Sequence, residues 1–266
     1  MKLRADEAKG FTVVDLLVVM GILALLVALI VPALDQGREG ARRTVCRSNI
    51  RQLGLSAHFY GLDNNGLLPP GTRGASYGSW LPSVPEVTWR AFFTQNAMPG
   101  FTLECPNLFP YASYRPDESG YWLGFNYHGG HQLPWSDRYD GWVSPQRTSD
   151  DPSSVIFSDA AIWSTYVPSP GSHGNTNTLF IPFTIPFQMQ SPEGGGQQGG
   201  YACVPHGTRG PGTQGIQTGT GHETPLSLGL AGSNVGHLDG SVLWKKAGRL
   251  SAYRIFSEHP DFFGLW

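Results

Sequence analysis

Two groups of residues have types and spacings that could do chemistry. The first centres on Asp15, an acid one helical turn inside an otherwise apolar run, FTVVDLLVVMGILALLVALIVPAL. A carboxylate there costs about 2.5–3.5 kcal/mol to place in a membrane unless a cation meets it. The nearest conceivable cation is an amine freed by cutting the chain after Gly10. The second group is Asp159, His222, His237 and Asp239, oxygen and nitrogen donors that could gather round a metal. Calcium wants several oxygens and no histidine, so structural calcium is not supported and no cofactor is expected. The simpler use of Asp239-Gly240 is a type I′ hairpin turn between the runs containing Val235 and Val242, because both turn residues tolerate positive φ. His237 lies just before it.

Other reactive side chains lack a frame. Eight histidines and several acids could be assembled into a triad, but no Gly-rich phosphate loop, HExxH helix or Gly-x-Ser-x-Gly elbow positions them. The cysteines, Cys46, Cys105 and Cys203, fit no zinc spacing. Cys105 and Cys203 could pair outside the cytoplasm, while Cys46 reads as a buried, inert thiol. Trp80, Trp89, Trp122, Trp135, Trp142 and Trp163 could stack on sugars as a glycan-binding face, or fill a core and pin loops.

Composition narrows the class of fold that must hold these residues. Charged residues are 14% of the 266, against roughly 25% in an ordinary soluble domain. Glycine (35) and proline (21) supply about a fifth of the chain, short of the roughly 25–30% of low-complexity chains. An aromatic content of 12% is too high for disorder. The net charge of −2 offers no basic excess for phosphates, so nucleic acid is not an expected partner. A loop-rich globular fold follows, with something attached at its N-terminus.

That attachment is the apolar run. From Leu16 to Leu34 about 19 residues carry no charge, about 28 Å of helix, which suits a hydrocarbon core of about 30 Å. It is too long for a secretory h-region of about 7–15 residues, and soluble helices rarely run apolar on every face for this length. Lys2, Arg4 and Lys9 favour a cytoplasmic N-terminus, with the arginines beyond Leu34 competing.

In front of the span, Lys9-Gly10-Phe11-Thr12-Val13-Val14-Asp15 closely resembles the type IV prepilin cleavage and methylation motif. The resemblance implies that a prepilin peptidase cuts after Gly10 on the cytoplasmic side. It implies too that the new Phe11 amine is methylated, and that Asp15 pairs with a neighbouring subunit's amine. Asp stands where the family usually has Glu, which keeps the charge and shortens the reach by one methylene. Pro32 falls where many members carry a helix-loosening proline.

Past the span, Cys46, Ile50, Leu53, Ala57 and Tyr60 recur at alternating steps of four and three, one helix face suited to packing on a globular domain. Arg43, Arg47 and Arg51 form a stripe on a different face, solvated or drawn to lipid head groups or an acidic partner subunit. Gly61 and Asp63-Asn64-Asn65-Gly66 end the helix in a turn. The cluster lacks the spaced acids and terminal Glu of a calcium loop. Beyond Leu67 the pattern is of short strands between turns, among them Val155-Ile156-Phe157, Thr178-Leu179-Phe180-Ile181 and Ser241-Val242-Leu243-Trp244. Residues 191–200 and 206–221 read as mobile surface loops.

The run ARRTVCRSNIRQLGLSAHFYGLDNNGLLP, then Cys105-Pro106, Asp151-Pro152-Ser153-Ser154-Val155 leading to Asp159, and Gly236-His237-Leu238-Asp239-Gly240-Ser241-Val242 carry a further resemblance. They are similar to prepilin-like proteins with an H-X9-DG C-terminal signature, related to type II secretion pseudopilins. Gly229 occupies the nominal histidine position, and the nearest upstream histidines, His222 and His206, lie further from Asp239.

The expected architecture is α+β and pilin-like: a long N-terminal helix, its first half membrane-spanning, packed on a mainly antiparallel β-sheet with long loops. Residues 1–10 would be a leader, 11–60 the helix with its span at about 13–34, and 61–266 a periplasmic globular domain. The implied function is a non-enzymatic pseudopilin subunit of the inner membrane that assembles with other pseudopilin subunits into a periplasmic filament. The alternatives are an anchored periplasmic or surface protein that binds a ligand or glycan without polymerising, and an anchored hydrolase.

Overall fold

The computed structural model describes residues 12–71, 83–92, 105–108, 121–131, 142–164, 201–208, 215–218, 224–254 and 262–266. A single helix, α1, runs from Val13 to Asp63. Thr12 starts it: the Thr12 amide and hydroxyl donate to Asp15 Oδ2 at 3.0 and 2.8 Å, and the Asp15 amide donates to the Thr12 hydroxyl at 3.2 Å. This reciprocal arrangement is a capping box. Pro32 lies within α1 without ending it, although its missing N–H leaves one helical carbonyl without its usual donor.

The helix ends three residues later than the expected Tyr60, in a Schellman-type cap. The Gly66 amide donates back to the Gly61 carbonyl at 2.8 Å, and the Asn64 side-chain amide donates to the Tyr60 carbonyl at 2.8 Å. Asn65 takes φ 53° and Gly66 φ 77°, the left-handed conformation such a cap requires.

The chain divides into two compact units, Met1–Ala41 and Arg42–Trp266. In the first, α1 is long and apolar enough to cross a membrane, and none of its apolar stretch is buried. Large side chains such as Leu17, Leu25 and Leu29 stand exposed there.

The second unit holds the rest of α1 and the sheets. Its elements are β1 (Ser83–Val84), the short α2 (Glu86–Arg90), β2 (Tyr121–Trp122), β3 (Phe125–Tyr127), β4 (Val155–Asp159) and β5 (Ile162–Ser164). They continue with β6 (Tyr201–Val204), β7 (Gly215–Thr218), β8 (Gly232–His237), β9 (Val242–Lys246), β10 (Ala252–Arg254) and β11 (Phe262–Leu265). A four-stranded sheet has the order β3-β4-β8-β9, a five-stranded sheet the order β10-β11-β5-β6-β7, and β1 pairs with β2. All these pairings are antiparallel. β4 leaves one sheet and β5 enters the other through Ala160-Ala161, two small, fully buried residues.

The inward face of α1 is the one its periodicity picks out. Cys46, Ile50, Leu53 and Ala57 are buried and Tyr60 is half-buried. The four buried residues join Phe125, Tyr127, Phe157 and Val235 of the four-stranded sheet in one core. Gly236 of β8 makes the close approach feasible, because a Cβ there would lie 2.6 Å from Ile50 Cγ2. The observed class is thus α+β and pilin-like, with the later part of the helix on an antiparallel sheet. One expected loop is partly sheet: Gly215–Thr218, inside the 206–221 stretch, pairs as β7 with β6. Its order comes from the partner strand rather than from its own glycine-rich sequence. The expected strand at 178–181 and the loop at 191–200 lie outside the described residues.

Candidate functional site

Of the processing and assembly residues, Gly10 and Phe11 lie outside the described residues. Asp15 lies in the first turn of α1 and is already engaged by Thr12. The carboxylate therefore has local donors within its own chain, in addition to any cation a neighbour would bring.

His237, Asp239 and Gly240 lie in a hairpin. The Gly240 amide donates to the His237 carbonyl at 3.0 Å and the His237 amide to the Ser241 carbonyl at 2.9 Å. Gly240 has φ 81°, while Asp239 is not among the residues with positive φ. The turn is therefore not type I′ as the Asp-Gly pair suggested; it is a three-residue loop, Leu238-Asp239-Gly240, with glycine in the left-handed position. The reason lies in Leu238, which is buried in the core and whose carbonyl accepts from His58 Nε2 of α1 at 2.7 Å. Ser241's hydroxyl and amide hold the Asp239 carboxyl below its usual range, the amide donating to Asp239 Oδ1 at 2.8 Å. Burial and the charge of Lys245 lower the His237 imidazole.

Among the described metal candidates, Asp159 is not brought together with His237 and Asp239. Val155 at the start of β4 pairs with His237, whereas Asp159 closes β4, about 13 Å away along the strand at roughly 3.3 Å per residue. His222 lies outside the described residues.

Asp159 instead belongs to a buried polar cluster. Its Oδ2 accepts from the Asn234 amide at 2.6 Å and from Asn234 Nδ2 at 3.0 Å, and His206 Nε2 stands 3.3 Å from the same oxygen. Asp159 Oδ1 is buried without a hydrogen-bond partner. Beside this pair, Cys46 Sγ of α1 and Cys105 Sγ lie 3.1 Å apart. Donor atoms of Cys46, Cys105, Asp159 and His206 all fall within 4.8 Å of one another, and all four residues are fully buried. Two thiols, an imidazole and a carboxylate are a soft-metal donor set, not a calcium one.

Cationic and amide groups surround the cluster. Asn107 Nδ2 donates to the Pro205 carbonyl at 2.6 Å and approaches His206 Nδ1 at 3.1 Å, while Asn107 Oδ1 accepts from Arg42 at 3.1 Å. Arg43 lies over Trp244, 4.5 Å from the ring centroid, so this member of the arginine stripe packs while Arg47 and Arg51 are exposed. The Ala231 amide donates to the His206 carbonyl and the Thr208 amide to the Gly229 carbonyl, each at 2.7 Å. The segment carrying His206 therefore runs beside Gly229 and Leu230.

A second buried set, His128, His131, Trp142 and Trp266, packs as aromatic rings. His128 Nε2 meets Ser158 Oγ at 2.9 Å, the reach of a base and a nucleophile, but both side chains are completely buried and serve to pin β3 to β4. Burial pushes His128 well below its usual range and His131 down to about 4. Of the tryptophans considered for a glycan face, Trp142 is buried and Trp89 packs against the core. Trp80, Trp135 and the side chains of Trp122 and Trp163 lie outside the described residues, as does the side chain of Cys203.

Comparison with known proteins adds two similarities. A family described as "Protein of unknown function (DUF1559)" matches residues 35–101. The type IV wide pilus major component PilA4 of Thermus thermophilus is 38% identical over 59 residues, which cover 22% of this chain and 45% of that protein. The match thus spans less than half of that relative's length. No solved structure matches the chain. With the apolar N-terminal helix and the four-stranded antiparallel sheet, these similarities support a pilin-like protein.

Proposed function

We propose that this protein is a type IV pilin-like or pseudopilin subunit, held in the inner membrane by α1 and assembled through that helix into a filament. The observation that carries the reading is α1 itself. It is apolar and exposed over a membrane's thickness, bears an acid in its first turn, and continues as the docking face of a folded body. Leu55, Phe59 and Leu62 add support: they stand exposed at spacings of four and three on the same helix, an outward apolar stripe suited to a neighbouring subunit's helix.

In this reading a prepilin peptidase cuts after Gly10, and Phe11 becomes the N-methylated first residue. The globular body lies in the periplasm. Asp15 exchanges its Thr12 contacts for the amine of the adjoining subunit as the helix enters the filament, which relieves the cost of a carboxylate in an apolar setting. The protein is then a substrate of processing rather than a catalyst.

Intact-mass and N-terminal analysis of protein from membranes tests this directly. The expected chain starts at methylated Phe11, and Gly10→Leu leaves it uncut. A mature chain that keeps Met1, or that starts beyond the apolar run, contradicts the proposal.

A further inference from the structure

We infer that Cys46 and Cys105 are joined by a disulfide in the exported protein, fastening α1 covalently to the globular body; the inference rests on the export proposed above. The two sulfurs lie 3.1 Å apart with both side chains fully buried. That is inside the roughly 3.5–4.0 Å of ordinary non-bonded contact, and a bond at about 2.05 Å needs an approach of only about 1 Å. Each partner sits in a defined local element. Cys46 is one turn before Ile50 on the inward face of α1, and Cys105 opens a turn closed by the Leu108 amide donating to its carbonyl at 2.8 Å.

The rival occupant is a metal ion held by Cys46, Cys105, Asp159 and His206. Two thiolates on a tetrahedral zinc at about 2.3 Å would stand about 3.8 Å apart, so the sulfurs would have to separate. The imidazole also faces the wrong way chemically. Asn107 is oriented by Arg42 on its oxygen and Pro205 on its nitrogen, so its amide donates to His206 Nδ1. The ring proton then resides on Nε2, which faces Asp159 Oδ2 at 3.3 Å, and a protonated nitrogen has no lone pair for a metal. His206 Nε2 and Asp159 Oδ2 thus face each other, while the two sulfurs lie closer together than a shared tetrahedral zinc would hold them.

Formation breaks two S–H bonds and makes one S–S bond. Two protons and two electrons pass to the disulfide of an extracytoplasmic thiol oxidant, which leaves as a dithiol. The link joins residues 59 apart in sequence, so a pull on α1 would reach the body through a covalent bond as well as through packing.

The test uses the full chain, extracted from membranes in denaturant with N-ethylmaleimide, digested and weighed. The expected result is a Cys46 peptide joined to a Cys105 peptide, with maleimide on Cys203 alone. On the folded protein, reductant should lower the melting temperature by roughly 5–10 °C, and Cys46→Ser should abolish that sensitivity. A Cys105–Cys203 peptide, or a stoichiometric metal with maleimide on all three cysteines, overturns the inference. A second arm reduces the folded chain and reoxidises it with oxidised glutathione. Pairing in this arm together with three thiols in the cell-derived sample overturns the export reading and supports the pairing. Three thiols in both arms overturn the pairing itself.

Discussion

Asp15 closes the first turn of α1 by accepting from the Thr12 amide and hydroxyl, so its cap and its charge are separable roles. Asn at this position retains an acceptor for Thr12 and loses the charge. Val loses both, and the cap alone is worth about 1 kcal/mol. His131 shows the opposite case, a charge the fold refuses. Burial lowers its pKa to about 4, against an ordinary 6.5, even though Nε2 donates to the Tyr127 carbonyl at 2.8 Å. Between these two values the unfolded chain binds a proton that the folded chain does not, so stability falls as pH drops from 6.5 towards 4 and this contribution levels off below. The gap corresponds to a loss on the order of 3 kcal/mol, and His128 pulls in the same direction. Thermal melts of the detergent-solubilised chain across this range should show the decline. His131→Gln, which keeps a donor for Tyr127, should lessen the decline and leave the part due to His128, and a pH-independent melting point in the native chain would contradict the assignment.

The contact between α1 and β8 depends on glycine. A Cβ at Gly236 would meet Ile50 Cγ2 at 2.6 Å, so Gly236→Ala should destabilise the body by about 1–3 kcal/mol. Ile50→Leu, which moves the branch off Cβ, should recover part of the loss in the double variant; additive losses in denaturant melts would show that the two residues do not meet. At the end of the same helix, Asn65 holds φ 53°. Asn65→Gly should be neutral or stabilising, while Asn65→Ala should cost about 1–2 kcal/mol; equal melting of the two variants would remove the cap from the account. These features differ in how far the sequence announces them. The inward face of α1 and the turn at residues 63–66 are local patterns, and both are legible from spacing and from Asn/Gly content. The Asp-Gly hairpin is legible in place but not in type, because Leu238 is drawn into the core from outside the turn. β7 is hidden, since Gly215–Thr218 owes its order to β6. The Cys46–Cys105 contact and the placement of His206 beside Gly229 come from segments distant in sequence, and no local periodicity encodes such meetings.

For the molecule as a whole, a subunit and an anchored domain differ in whether the exposed apolar part of α1 meets another copy or only lipid. A plain anchor needs the apolar length and gains nothing from Asp15. An assembling subunit needs the charge to set attachment and register with its neighbour. The most direct measurement is oxidative cross-linking in native membranes through a cysteine placed in the span at Leu23→Cys, an exposed position, compared with and without Asp15→Val. Both chains should insert and be cut after Gly10. The native acid should give cross-linked dimers and higher species, which Asp15→Val reduces at least tenfold and Asp15→Glu retains. Cross-linking undiminished in Asp15→Val would contradict the account and leave the protein an anchored domain.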